Sequence, residues 1–519
     1  MAFCNGKVGA RRSVRYSGLG SMGRLRVLLV GTALGLLGCS GDQMLGDYPP
    51  STCDLARPPA EVDREQLSIA TFWADSREQD AFEELRRRIT ALGYSVTTEQ
   101  IETRVEVQRK INDSFESQKL PGVFQVNGGS DVLRWVQNRE PEGTDVCALD
   151  RLRDQPDWRE AYFAGALRPL TCHGNLYGLP VGIHHLNVLF YNREVFAVLA
   201  ERARANGLEL VEPAQMRSPH ELLSLLASVR ELEAANRTGR SIVPLAIGTE
   251  SEWPLTIMAF ENVLLGLGNR AYETLWLGGL ESFDQKRSDD LRASVTEMLQ
   301  VLRALHGYSD VSAQISWQDA LRQVGDGEAL LTITGDWGFA QLGAEAAARV
   351  DAVTFPGTAG RFVYTPDSFA VPRELKKNGF PARAFLHDVV ADKEALIAFS
   401  NAKHSIPPRK DLTDDEIDQL SSESLRSTYR QFASCGESEG SCELLLAVSG
   451  LAPPPGTDPC FDEMDALLAF AVTGHAPSDD GSVARQCQQE RPTTSEEAED
   501  RLIELLLDVA TRRFAAACR

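Results

Sequence analysis

Several features that mark common protein classes are absent from this chain or scarce in it. No two of the ten cysteines form a C-x-x-C pair, which disfavours zinc ribbons and thioredoxin-like redox sites. Basic residues are outnumbered, with 53 Lys and Arg against 74 Asp and Glu, so the formal net charge is −21. Such a surface repels phosphate backbones and anionic lipid, so we expect neither a nucleic-acid partner nor peripheral membrane contact.

Signals for catalysis are also weak. The segment His220-Glu221-Leu222-Leu223-Ser224 lacks the second histidine of a zincin. Gly266-Leu267-Gly268 followed by Ala271 matches a dinucleotide loop in form, but it follows a leucine-rich, helical pattern rather than a strand. We therefore predict a protein that is not an enzyme, with no cofactor, no catalytic residues and no metal site.

The N-terminus has the layout of a secretory signal. Residues 1–38 carry six basic residues and no acid, and an apolar stretch from Val27 to Gly38 precedes Cys39. The stretch is shorter than the roughly 20 residues of a membrane span. Leu36-Leu37-Gly38-Cys39-Ser40 resembles a lipobox, so we predict a signal peptide at 1–38, lipidation of Cys39 and a lipid-anchored tether at 39–65. An uncleaved anchor helix and a plain signal are the alternatives. Each puts the folded part in the periplasm, outside the cytoplasm.

The cysteine count is consistent with export. Eight cysteines remain beyond Cys4 and Cys39, and an even number is typical of an oxidising compartment. Eight allow 105 pairings. We take Cys147 with Cys172 and Cys435 with Cys442 as the first candidates, because these pairs close short loops.

Apolar alternation predicts an α/β fold. Strand patterns at 67–72, 94–98, 121–126, 243–247, 330–334 and 350–355 alternate with helical patterns, which indicates largely parallel sheets with helices on both faces. The chain length favours two domains. From about Asp411 the pattern becomes helical, beginning with Thr413 and Glu416 in capping-box spacing. This tail holds five of the eight cysteines, and we interpret it as a stapled helical cap.

Two loops at strand ends have the side chains that a sugar site needs. Trp73 follows the first strand, and Gln125 and Asn127 end the third in a glycine-containing loop. An aromatic face packs on a sugar's C–H surface, while amides and carboxylates bond its hydroxyls. Ligands of open α/β sheets bind at such strand ends. Ordinary core packing is the alternative for Trp73.

Longer segments resemble a known family. The segment 176–192, with Gly182-Ile183-His184-His185-Leu186-Asn187, resembles the crossover strand of family 1 extracellular solute-binding proteins, the maltose-binding-like class. Further matches are Gly335-Asp336-Trp337, Phe355-Pro356-Gly357-Thr358 with Asp367-Ser368-Phe369, and Lys403-His404-Ser405-Ile406-Pro407. Together they cover about 67–409 in the family's order.

The resemblance implies a bilobal periplasmic-binding-protein fold of type II, with two α/β lobes, a three-crossing hinge and the ligand in the cleft. Lobe one would comprise 66–179 and 367–403, and lobe two 180–366 and 404–519 with the Cys-rich helical tail. Within the family, the segments 124–129, 182–187 and 405–409 resemble glucose- or mannose-type binders. By that resemblance the ligand-binding residues are Trp73, Gln125, Asn127, His184, His185, Asn187, Trp253, Asp336, Trp337, Asp367, Lys403 and His404.

Some of these residues have a simpler alternative role. His184 and His185 are adjacent on a strand and face opposite sides, so at most one of them would line the cleft. Trp253 precedes Pro254 and would pack a helix start, and Asp336 would cap the next helix.

The function implied is binding of a small sugar, a monosaccharide such as glucose or mannose, and its delivery as a monomer to the permease subunits of an ABC importer. A sensory receptor of the same fold is one alternative. A glycoside hydrolase using paired carboxylates such as Asp336 and Asp367 is another.

Overall fold

The structure is a computed structural model, and it describes most of the chain beyond the predicted tether. Residues 1–65, with the predicted signal, tether and Cys39, lie outside the described part. The described residues are 66–73, 76–101, 104–117, 119–137, 145–150, 152, 157–234, 241–250, 253–268, 271–272, 275, 285–310, 314–373, 379–437, 442–447, 464–474, 492 and 494–511.

Twelve strands occur in these residues, and we number them in chain order. They are β1 (Gln66–Thr71), β2 (Ser95–Gln100), β3 (Val123–Asn127), β4 (Thr171–Cys172), β5 (Asn175–Leu176), β6 (Leu179–His185), β7 (Val188–Asn192), β8 (Val243–Ala246), β9 (Ala329–Ile333), β10 (Val350–Thr354), β11 (Arg361–Ala370) and β12 (Glu443–Leu446). The strand patterns predicted from the sequence correspond to β1, β2, β3, β8, β9 and β10.

Helices lie between most of these strands. The α-helical segments are Ser76–Ala91, Arg104–Ser117, Ser130–Gln137, Ala164–Leu167, Arg193–Ala205, Pro219–Ala234, Trp253–Ile257, Leu265–Leu267, Gln285–His306, Trp317–Gly325, Gly338–Gln341, Ala344–Ala347, Gly379–Ala384, Lys393–Lys403, Asp414–Asp418, Glu423–Glu437, Met464–Thr473 and Ser495–Thr511. Met258–Leu264 and Phe385–Val390 are π-helical, and Trp158–Ala161, Arg168–Leu170 and Pro213–Gln215 are short 3₁₀ turns. Among the described residues, no helix is both long enough and apolar enough to cross a membrane.

The strands form two main sheets, each with its own core. Six strands make the first sheet, in the order β12-β11-β3-β1-β2 with β6 also paired to β11. Four make the second, in the order β10-β7-β9-β8. Apolar side chains from each sheet and its helices collect in separate buried clusters. The chain therefore folds into two α/β lobes, as predicted.

The sheets are mixed, so the prediction of largely parallel sheets is wrong. β1 pairs in parallel with β2 and β3, but β11 runs antiparallel to both β3 and β6. In the second sheet β7 is antiparallel to β9 and β10. The antiparallel pairs arise because the strands that connect the lobes run back against their neighbours.

The first lobe shows how the sequence pattern produces this packing. Helix Ser76–Ala91 buries Phe82, Leu85 and Ile89, part of an apolar stripe at helical spacing, against the sheet. Burying each such side chain contributes about 1.5–3 kcal/mol. Leu92, the last residue of that stripe, lies past the helix end and is 42% exposed.

The chain passes between the sheets at two places, one after β6 and one before β11, so both of these strands belong to the first sheet. The first passage is at Leu186 and Asn187, between β6 and β7, and the second is at 355–360, between β10 and β11. Asn187 joins the two passages: its Nδ2 donates to Thr358 Oγ1 at 2.8 Å and to the Arg361 carbonyl at 3.1 Å. Its Oδ1 accepts from the backbone N–H of Val363 at 2.9 Å.

The C-terminal tail contacts both lobes. Its first helix carries the predicted capping box of Thr413 and Glu416. The purely helical interpretation is wrong in one respect, because β12 adds an edge strand to the six-stranded sheet, in parallel with β11. The later helices, Met464–Thr473 and Ser495–Thr511, bury their apolar side chains in the core of the second lobe. The tail thus spans the junction between the lobes.

A disulfide staples this tail. Cys435 and Cys442 are bonded, with an S–S distance of 1.98 Å and a sequence separation of 7. The bond joins the end of helix Glu423–Glu437 to the residue before β12. Cys147 and Cys172 are each half-cystines as well.

Replacing Cys435 and Cys442 together by serine should lower the free energy of unfolding by roughly 2 kcal/mol, because the short loop is no longer closed in the unfolded chain. Guanidinium unfolding of wild type and variant, both without reductant, measures the difference. Equal midpoints and slopes would show that this bond does not stabilise the fold.

Candidate functional site

A buried histidine between two carboxylates lies where the lobes meet. His184 Nδ1 is 2.8 Å from Asp336 Oδ1, and His184 Nε2 is 3.2 Å from Asp367 Oδ2. All three side chains are almost fully buried. His184 is in β6 and Asp367 is in β11, both in the first sheet, whereas Asp336 follows β9 of the second. The contact therefore brings together side chains of both lobes.

Backbone pairing places these three residues. In β11, Asp367 is opposite Gly182 of β6 on one side and Asn127 of β3 on the other. The backbone N–H of Asp336 donates to the carbonyl of His185 at 2.9 Å. The side chain of Asp336 contacts His184 and makes no capping bond to the helix Gly338–Gln341. The capping alternative for this residue is therefore not what the structure shows.

The two adjacent histidines have opposite environments. Burial alone lowers the pKa of His184, but the charges and hydrogen bonds of Asp336 and Asp367 outweigh it and raise the pKa to about 9. His185 faces the other side of the sheet and stacks on Phe362 with ring centroids 3.9 Å apart. Its pKa is lowered by burial to about 4. His184 is thus the member of the pair that faces the carboxylates.

Three tryptophans of the second lobe lie beside this group. The edge of the Trp337 ring contacts His184, with centroids 5.3 Å apart. Trp253 and Trp317 are each within 6.5 Å of Trp337 and 6.1 Å of one another. All three rings are partly exposed, unlike the residues of the core. They form a rigid apolar wall, which we call the tryptophan wall.

Trp317 is a member of this wall that the sequence analysis missed. Like Trp253 it occupies the first position of a helix, here one capped by Ser316, whose Oγ accepts from the N–H of Asp319. Ser316 is a typical N-cap residue, so the sequence does indicate that Trp317 begins a helix. Trp253 does start a helix, as its alternative role predicted, and it also faces the other two rings.

Polar atoms without partners occur on the first-lobe side. Gln125 Oε1 accepts from Thr71 Oγ1 and from the backbone N–H of Phe72, while Gln125 Nε2 has no hydrogen-bond partner among the described residues. The same holds for Asn127 Oδ1 and Asp336 Oδ2. Buried polar groups are normally hydrogen-bonded, so each such atom requires an explanation. Gln125 Nε2 is thus a donor group, and Asn127 Oδ1 and Asp336 Oδ2 are acceptors, that remain available. His184 Nε2 and Asp367 Oδ2, although 3.2 Å apart, make no aligned hydrogen bond either.

Trp73 and Lys403 form a neighbouring layer. Trp73 is fully buried among Phe82, Phe369 and Phe399, which is the core packing that we gave as its alternative. Lys403 is buried too, pairs with Glu78 and lies over the Trp73 ring at 5.6 Å. This layer packs around Trp73 at the end of β1.

His404 is a third histidine close to His184 and Asp336. It ends helix Lys393–Lys403 with φ of 55° and packs on Phe339, with ring centroids 4.8 Å apart. Burial lowers its pKa to about 4; Asp336 opposes that shift and His184 adds to it. His404 is therefore neutral beside the charged group.

The structure does not bring all of the predicted site residues to the junction: Trp73 packs in the core and Lys403 pairs with Glu78. Two more lie apart. His185 packs on Phe362 away from the carboxylates, and the amide of Asn187 is fully used in joining the two passages. Neither offers a polar group to the junction in the way that Gln125 and Asn127 do.

Two motif-like strings do not build a second site. Gly436-Glu437-Ser438-Glu439-Gly440 matches G-x-S-x-G, but it begins inside a helix, whereas a nucleophile elbow joins a strand to a helix. Gly266 and Gly268 follow a continuous helix, so the dinucleotide reading fails as expected. Within the described residues, no group of three or more His, Cys, Asp or Glu could hold a metal ion.

Two α/β lobes joined by crossing strands, with a polar group at the crossing, define the periplasmic-binding-protein fold. The chain belongs to the bacterial extracellular solute-binding protein family, whose model matches residues 80–423. This membership is consistent with a non-enzymatic binding protein and places the chain outside the cytoplasm.

Individual relatives are distant. The chain is 22% identical over 365 residues to an uncharacterized ABC transporter extracellular-binding protein of Pyrococcus horikoshii, covering 69% of this chain and 74% of the relative. It is 24% identical over 377 residues to a probable sugar-binding periplasmic protein of Rhizobium meliloti, covering 70% and 80%. The solved structure of a chitin oligosaccharide binding protein aligns with a TM-score of 0.63 and 15% identity, over 86% of this chain and 99% of that one.

Gly335 should be required for the position of Trp337. A Cβ added at Gly335 would lie 2.1 Å from the Trp337 ring, so Gly335→Ala must displace that ring. We expect a loss of about 1–3 kcal/mol in the free energy of unfolding, the usual cost of overpacking. Denaturant unfolding measures it. Gly343→Ala, where a Cβ meets nothing within 4 Å, is the control and should be near neutral; equal effects would contradict the explanation.

Proposed function

We propose that the protein binds a small neutral sugar at the junction of its lobes, a monosaccharide such as glucose or mannose, and delivers it to an ABC importer. The observation that carries this proposal is the set of buried, unpartnered polar atoms on Gln125, Asn127 and Asp336, together with the tryptophan wall, whose Trp337 contacts His184. A flat apolar face with a few convergent polar groups is what a sugar pocket requires.

The chemistry of the group suits a polyol. The two N–H groups of Gln125 Nε2 donate, whereas Asn127 Oδ1 and Asp336 Oδ2 accept. A sugar hydroxyl does both, so adjacent hydroxyls satisfy donor and acceptors together. Hydrogen bonds to charged groups contribute about 1.5–3 kcal/mol each, which supports an affinity in the micromolar range, about −8 kcal/mol.

The relatives support the ligand class and the partner. The Rhizobium protein is named as a probable sugar-binding protein, and the Pyrococcus protein as an ABC transporter extracellular-binding protein. The motif resemblance in 124–129 and 182–187 favours glucose or mannose. The neighbour that binds chitin oligosaccharide makes a longer saccharide the alternative ligand.

The location of the group suggests hinge closure as the mechanism. Asn127 and Asp367 belong to the first sheet, while Asp336 and Trp337 belong to the second lobe. A ligand that contacts both sides binds the closed form better than the open form, so it shifts the population towards closure. We propose that the closed monomer, anchored by lipid at Cys39, docks on the permease.

Calorimetric titration of the purified protein with D-glucose, D-mannose and diacetylchitobiose tests this function. Micromolar binding of a neutral sugar supports it. Trp337→Ala should weaken that binding at least tenfold, about 1.4 kcal/mol, because a stacking face is lost.

The matched control is Tyr308→Ala, which removes another aromatic ring of the second lobe, one that packs with Arg230 rather than with the wall. Its affinity should equal that of the wild type. Unchanged affinity in Trp337→Ala would remove the wall from the site, and no heat with any of the three sugars would contradict sugar binding.

The site should reject acidic sugars. In the described part of the chain, the ion-pair contacts of both Asp336 and Asp367 are with His184, so a ligand carboxylate would add like charge in a desolvated place. D-glucuronate should bind at least about 100-fold more weakly than D-glucose, which corresponds to roughly 2.7 kcal/mol. Competition calorimetry at pH 7 measures the ratio, with methyl glucuronate as the uncharged control. Equal binding of glucuronate and its methyl ester would contradict this assignment of charge.

A further inference from the structure

Both ring nitrogens of His184 are already engaged within the protein. Nδ1 is hydrogen-bonded to Asp336 Oδ1, and Nε2 lies 3.2 Å from Asp367 Oδ2 without an aligned hydrogen bond, so each ring nitrogen faces a carboxylate of the protein. The sequence resemblance predicts that His184 contacts the ligand, whereas its two carboxylate neighbours point to a positioning role. Any effect on binding must act through the two carboxylates.

The contacts also identify the charge of the ring. A neutral imidazole has one N–H donor and one acceptor nitrogen, so one of its nitrogens would face a carboxylate oxygen without a hydrogen. An imidazolium donates from both nitrogens, which satisfies both contacts. It also compensates buried carboxylates that are costly to leave unpaired. The pKa of about 9 agrees with this geometry.

Among the described residues, the three basic side chains closest in sequence or contact to His184 are arranged differently. His404, from the end of helix Lys393–Lys403, is neutral because burial lowers its pKa to about 4. Lys403 is paired with Glu78, and His185 faces the opposite side of the sheet. Trp337 presents only a ring edge to His184.

We propose that His184 is a positioning residue, an imidazolium that holds Asp336 of one lobe and Asp367 of the crossing strand and aims Asp336 Oδ2 at the ligand. The part concerning ligand affinity depends on the proposed sugar-binding function, and the part concerning the charge of the ring does not. One oxygen of each carboxylate is close to the ring, and the second oxygen of Asp336, Oδ2, has no hydrogen-bond partner among the described residues.

The direction of the pH effect follows from the raised pKa. The stability that the charged ring adds is fully present below about pH 6.5, the pKa of an unperturbed histidine. It is lost as pH rises through the folded-state value of about 9. The affinity for sugar should fall over the same range as the carboxylates lose the cation between them.

Nitrogen NMR of ¹⁵N-histidine-labelled protein without ligand tests the charge directly. His184→Gln identifies the His184 signals among those of the eight histidines. We expect both ring nitrogens to be protonated at pH 7 and to titrate near pH 9, and Asp336→Asn should shift that titration to lower pH. A neutral His184 ring at pH 7 overturns the inference, whether or not a sugar binds.

Calorimetry with D-glucose tests the positioning role. We expect His184→Gln to bind about tenfold more weakly than wild type at pH 6.5, and the two affinities to converge by about pH 9.5. His220→Gln, at an exposed histidine 3.3 Å from Glu297, should match wild type throughout. A constant ratio of affinities across this pH range overturns positioning by charge. If wild type binds no glucose, the wild-type titration itself shows this, and the NMR result still decides the charge.

If His184→Gln does not fold, thermal melting of the wild type, Asp336→Asn and Asp367→Asn tests the inference instead. In the wild type, the melting temperature should fall between pH 6.5 and 9.5, and the fall should be smaller in either variant because the ring then loses one charged partner. A fall of equal size in all three proteins overturns the inference.

Discussion

One imidazole ring in contact with two carboxylates joins the segments on which the proposed site depends. His184 belongs to the strand that leaves the first lobe, Asp367 to the strand that returns, and Asp336 to the second lobe. Buried charges are tolerated only when they are paired with good geometry, and breaking such a pair costs several kcal/mol. The contact therefore constrains both the hinge and the carboxylates of the proposed site, and Trp337 of the tryptophan wall packs against it.

Other hydrogen bonds and a strand pairing also hold the hinge segments in place. Asn187 bonds the two passages to each other, and β12 of the tail extends the sheet beside β11. Tyr272 of the second lobe donates to the carbonyl of Leu446 in β12 at 2.9 Å. The tail thus contacts both lobes close to the second passage, and the Cys435–Cys442 disulfide joins its helix to β12.

Local pattern predicts much of this fold, because each strand and helix has a single buried face. Leu67 and Ile69 alternate in β1, and Phe82, Leu85 and Ile89 repeat with the period of a helix, so both elements are visible in the sequence. The Gly335-Asp336-Trp337 motif is also local, since the glycine leaves room for the ring that follows two residues later.

The local sequence pattern does not show which distant segments pair with each other. That His184 rather than His185 meets the carboxylates depends on the register of β6 against β11, which no short segment encodes. Trp317 was missed because it is about 20 residues from Trp337 and meets it only in the folded lobe. The strand character of β12 was missed for the same reason, since a four-residue strand gains its stability from its partner rather than from its own sequence.

A crystal structure of the protein with D-glucose tests the central claim most directly. We expect the sugar between the lobes, its hydroxyls bonded to Gln125 Nε2, Asn127 Oδ1 and Asp336 Oδ2 and its ring against Trp337, with His184 still held between Asp336 and Asp367. A sugar bound away from these atoms, or one that displaces a carboxylate from His184 to bond the imidazole itself, would contradict the account.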